Sequence, residues 1–121
     1  MFSALRFAPL LLAALVAEGA LAQDLKKVDG VLVTAAGLAV YTFDRDVAGS
    51  GKSACTGACA SAWPPVVAPV AVSPPYSVLT REDGTRQLAY RGKPLYRYAF
   101  DQQAGDRGGD NVQRVWHLVK D

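Results

Sequence analysis

One phrase occurs twice in this chain and limits what it can become. Tyr41-Thr42-Phe43-Asp44-Arg45-Asp46 and Tyr96-Arg97-Tyr98-Ala99-Phe100-Asp101 both read Y-x-aromatic-x-x-D, 55 positions apart. Asp29-Gly30 precedes the first copy and Asp83-Gly84 the second at nearly the same interval. Trp63 and Trp116 follow the two tyrosines by 22 and 20 positions. Three landmarks in one order and near-constant register imply a duplicated structural unit, with copies over about residues 25–70 and 78–121. The seam is Pro69 to Pro75, where proline and small residues replace patterned sequence. Two copies are too few for a stacked solenoid. They are expected to pack face to face as one domain over residues 23–121.

Local signals within each copy point to β structure. Asp-Gly between apolar, β-branched segments is a two-residue hairpin signal, because both turn positions favour φ > 0. It predicts strands on either side of Asp29-Gly30, then a strand over Leu38 to Phe43. The second copy repeats this as Ser77 to Arg81, a turn at Asp83-Gly84, Thr85 to Tyr90, a turn at Arg91-Gly92-Lys93, and Pro94 to Phe100. Val115 to Val119 is expected as a final strand and Val66 to Val72 as its looser counterpart. The fold class is therefore mainly β: two pseudo-symmetric antiparallel meanders forming one small barrel or sandwich. A short helical turn near residues 54–62 is expected, ended by Pro64-Pro65.

Residues 1–22 carry a different signal. Arg6, the apolar run Phe7 to Ala17 and the small-x-small site Ala20-Leu21-Ala22 predict a cleaved secretory signal peptide, too short for a membrane span. No cysteine stands near that cut, so no membrane anchor is expected after cleavage, and the protein should be periplasmic or secreted. The net charge of +2 is too mild, and its basic residues too dispersed, to imply a nucleic-acid partner. In an oxidising compartment Cys55 and Cys59 are expected to form a disulfide, worth about 2 kcal/mol for so short a loop.

Each chemical constellation has a structural counterpart. Tyr41 and Phe43 share one strand face, as do Tyr96 and Tyr98. Asp46 and Asp101 then fall at strand ends, able to bind the following turn, so the phrase, with Trp63 and Trp116, reads as core and turn-capping. Gly49-Ser50-Gly51-Lys52-Ser53 resembles a phosphate loop, but Asp46 stands where that pattern needs glycine, and no long helix follows. Asp101, Asp106, Asp110 and Asn111 crowd a Gly-rich loop without calcium-loop spacing. Cys55, Cys59 and the sole histidine, His117, are candidate copper ligands. No nucleophile–base pair stands out, no cofactor is expected and catalytic residues are none.

The residues Tyr41, Phe43 and Asp46, Gly51-Lys52-Ser53, Cys55-x-Gly57-x-Cys59-Ala60-x-x-Trp63-Pro64-Pro65, Gly92-x-Pro94-Leu95-Tyr96, Tyr98, Asp101 and Trp116-His117 together resemble an exported family known as the secreted repeat of unknown function. Many of its members are described as predicted lipoproteins, a label this chain lacks the attachment cysteine to carry. The resemblance implies an exported bacterial protein and no established activity. The function expected is a non-enzymatic module that binds a protein or small-molecule partner. The alternative is a periplasmic copper or redox protein using Cys55, Cys59 and His117.

Overall fold

The computed structural model describes residues 24–120; the signal peptide expected over residues 1–22 lies outside them. Each copy begins as a hairpin. Strands β1 (Leu25–Val28) and β2 (Val31–Thr34) pair antiparallel with Val28 opposite Val31. Asp29 and Gly30 alone form the turn, at φ 52° and 78°, the primed geometry whose twist matches the strands it joins. Strands β4 (Tyr76–Thr80) and β5 (Arg86–Tyr90) pair in the same way. Their turn is longer than the expected Asp83-Gly84 pair: Arg81 N–H donates to Thr85 C=O, and Gly84 N–H to Arg81 C=O. The extra residue converts a primed turn into a three-residue loop ending on a left-handed glycine. Arg91 and Gly92, both at positive φ, then turn the chain into β6 (Lys93–Pro94).

The copies exchange their tails. Strand β3 (Tyr41–Phe43) pairs antiparallel with β7 (Trp116–Leu118), the tail of the other copy. That tail continues along β2, where Leu32 N–H donates to Val119 C=O and Val31 bridges Lys120. The tail of the first copy does the reverse. Pro65 bridges Tyr96, Val67 bridges Gln87, and Leu88 N–H donates to Val66 C=O. The expected long strand Pro94 to Phe100 is broken for this reason. Leu95 N–H still donates to Leu88 C=O of β5; beyond it Arg97 and Ala99 donate instead to the carbonyls of Pro64 and Ala62. The described residues form two two-stranded sheets and one three-stranded sheet. They do not close a barrel, and a sandwich is compatible with them. The short helix α1 (Ala58–Ala62) falls inside the expected segment, and a 3-10 turn over Val112–Arg114 leads into β7.

The interior follows the duplication. One buried cluster holds Leu32 with Leu88, Val40 with Leu95, and Val66 with Val119, each pair at matching places in the two copies. Full burial of such a side chain contributes about 1.5–3 kcal/mol. The second cluster is aromatic and contains both motif tyrosines.

Candidate functional site

The two motif tyrosines meet at the pseudo-two-fold axis. Tyr41 N–H donates to Tyr96 C=O at 2.7 Å and Tyr96 N–H to Tyr41 C=O at 2.9 Å. The rings behind them form one column. Trp63 and Trp116 stack at 3.8 Å with planes 2° apart. Phe43 caps the Trp116 end at 4.1 Å and Tyr98 the Trp63 end at 4.3 Å. Tyr41 packs edge-on to Trp63 and Tyr96 edge-on to Trp116. Each such contact adds about 0.5–1.5 kcal/mol beyond burial.

The motif aspartates cross between copies. Tyr41 Oη donates to Asp101 Oδ2 at 2.5 Å, and Tyr96 Oη to Asp46 Oδ2 at 2.6 Å. The other oxygen of each aspartate holds the loop after its own strand, accepting from Gly108 N–H in one copy and Ala54 N–H in the other. Each aspartate thus caps its own loop and clasps the opposite unit. Burial, then the bonded carboxylate, pushes both phenols well above the ordinary tyrosine range. Burial also raises the Asp46 carboxyl, against the pull of Tyr96 and Ala54.

The surroundings of the two clasps differ. Around Tyr41 the seal is main chain: Gly109 N–H donates to Tyr41 Oη at 3.0 Å. A Cβ on Gly109 would stand 2.7 Å from the Trp63 ring and 2.9 Å from that of Tyr41. Around Tyr96 the seal is made of side chains. Ser53 Oγ lies 2.7 Å from Tyr96 Oη. Arg81 donates from one nitrogen to Ser53 Oγ and Gln87 Oε1, and from another to Cys55 C=O. Gln87 is fully buried and passes its amide hydrogen to Leu95 C=O. Ser53 Oγ accepts from Arg81 and from Cys55 N–H at 3.1 Å. With both lone pairs engaged, this hydroxyl is a structural bridge rather than a free nucleophile.

Arg81 and Ser53 also line a groove of about 310 Å³ with Gly51, Lys52, Thr56 and Thr80, and Glu82 lies at its rim. One bank is the loop carrying the Cys55–Cys59 disulfide, whose Cα atoms lie 5.2 Å apart; the other is the β4–β5 hairpin. Sequence reasoning singled out Lys52 and Ser53 only as a failed phosphate loop and missed Arg81 as the residue tying both banks together. The available signal was Gln87, a polar side chain inside a strand pattern that needs a partner if buried.

The copper arrangement is not formed. The two sulfurs are bonded to each other, and His117 lies on β7 with Nε2 2.8 Å from Asp44 Oδ2. Among the described residues no group of three or more His, Cys, Asp or Glu side chains gathers to hold a metal ion. The Gly-rich loop is organised as turns. Asp106 accepts from Gln102 and Gln103 N–H, which holds its carboxyl below the usual range, and Asp110 accepts from Leu118 N–H.

A family model described as a secreted repeat of unknown function matches the chain twice, over residues 25–67 and 77–120. No curated protein and no solved structure gives a significant match. No helix among the described residues is long and apolar enough to cross a membrane.

Proposed function

The chain belongs to the family of secreted repeats of unknown function, and on that premise we propose that it is an exported, non-enzymatic binding module, acting in the periplasm or outside the cell. Its ligand site is the groove between the disulfide loop and the β4–β5 hairpin. The observation that carries this reading is the break in internal symmetry at the two clasps. Tyr41 is sealed by a glycine main chain, which is the economical way to close a core. Tyr96 is joined instead through Ser53 and Arg81 to a groove. Desolvating a guanidinium, a hydroxyl and a buried amide is costly unless each is paired, and folding alone is served by the glycine solution.

The groove is small and lined by polar and charged side chains, so it suits a ligand recognised by a few hydrogen bonds rather than a large apolar cofactor. The test is amide chemical-shift mapping of the oxidised protein against a panel of small polar fragments. Saturable shifts confined to residues 51–57 and 80–83 are expected. Saturable shifts confined to the surface around His117, or none at millimolar ligand, sink the assignment.

A further inference from the structure

We infer that the ligand class of this groove is an extended peptide that pairs its main chain with the open edge of β4. This rests on the groove being the binding site and adds what lies in it. Strand β4 is the outer strand of its sheet, in the order β4-β5-β6. Its inner side is fixed by two bonds: Arg81 N–H donates to Thr85 C=O and Arg91 N–H to Pro75 C=O. Main-chain groups of an antiparallel strand alternate in direction. Ser77 and Leu79 therefore face β5, while Val78 and Thr80 turn their N–H and C=O groups outward. Among the described residues nothing bonds the outward N–H of either.

The duplication supplies an internal control. Strand β1 is the matching outer strand of the first copy, and its sequence is Leu-Lys-Lys-Val. Strand β4 reads Tyr-Ser-Val-Leu-Thr and bears no charge. Charged side chains, lysine above all, are how proteins stop an edge from recruiting another strand. Of two equivalent edges, one is guarded and the other bare, and the bare one borders the groove at Thr80.

Charge complementarity narrows the occupant. The Lys52 ammonium stands on the disulfide-loop bank and the Glu82 carboxylate on the hairpin bank. Neither has a hydrogen-bond or ion-pair partner among the described residues. A strand lying between them and carrying one acidic and one basic side chain satisfies both. Main-chain bonding supplies affinity and the alternate side chains supply selectivity, as in other strand-addition complexes.

The test pans a displayed library of random octapeptides against the oxidised protein and measures synthetic hits by fluorescence anisotropy. Hits with Kd of roughly 1–100 µM are expected, since so short an edge buries little area. N-methylation at alternate amides should weaken them at least tenfold in one register and not in the other. Thr80→Lys, which guards the edge as β1 is guarded, should weaken them at least tenfold with the melting temperature unchanged. Lys52→Glu should select against acidic hits. Equal binding of both N-methylated registers overturns strand addition. So does concentration-dependent self-association that excludes the peptides, because a second copy then fills the edge. Polar fragments bound at residues 51–57 with no peptide hits sink the peptide and leave the groove standing. Hits that map to the surface around His117 remove both.

Discussion

The Tyr41–Asp101 and Tyr96–Asp46 clasps have the same two residues, the same crossing between copies and nearly the same length. Yet Asp101 is only 4% exposed and its tyrosine is closed by glycine. Asp46 is partly open, and its tyrosine leans on a serine, an arginine and the disulfide loop. The framework of a duplicated unit can thus be kept while one copy is rebuilt around it. The shared parts report on stability. The departures are where a property peculiar to this protein belongs.

The largest effect tests the shared framework. Trp63→Ala and Trp116→Ala each remove the centre of one column, and each should cost about 4 kcal/mol in urea unfolding. Equal losses are expected because the column is nearly symmetric; a twofold difference in cost breaks the equivalence. The clasps should separate where the tryptophans do not. Tyr41→Phe strands a buried carboxylate oxygen and the Gly109 N–H, at a cost of about 2–3 kcal/mol. Tyr96→Phe should cost about 1 kcal/mol, since Asp46 is less buried than Asp101 and water can reach it. The reverse order refutes the open-and-closed distinction.

A smaller effect comes from the staple that only the first copy has. Replacing Cys55 and Cys59 together by serine should lower stability by about 2 kcal/mol, as expected for a short closed loop, and shift amide signals around Ser53 and Arg81 more than those around Gly109. Uniform shifts in both regions argue that the loop is not a separate feature. The smallest effect is set by pH. The folded protein holds the Tyr41 and Tyr96 phenols above the ordinary value of 10.0. Their contribution is intact below pH 10 and lost as pH rises from there through the folded values, because only the unfolded chain ionises readily. Phenolate absorbance should show two of the five tyrosines staying protonated until the chain unfolds. Early titration of all five contradicts the sealed clasps.

Much of the fold was legible because its signals are local. Asp29-Gly30 named its own turn, and the twin phrases named the duplication. What was not legible was which copy each tail pairs with. Val66 and Val119 carry the same apolar pattern whether they return to their own sheet or cross to the other, and alternation says nothing about that choice. The clasp was hidden for the same reason. Tyr41 and Asp101 are 60 residues apart, and Tyr96 and Asp46 are 50, so each aspartate looked complete as a cap for its own loop. Arg81 sat in a polar hairpin where an exposed cation is the ordinary expectation. Only its placement beside the buried Gln87 and the Cys55 carbonyl gives it a part in the site.

The exchange of tails also sets an order in time. Strand β3 lacks its antiparallel ladder until β7 arrives, and Tyr41 must find Leu118 across most of the chain. An early-emerging half therefore carries the unfinished edge of its sheet through synthesis. Pairings this distant in sequence close slowly. Closure of the first copy therefore waits on residues 116–120, which supply both the partner of β3 and a neighbour of β2.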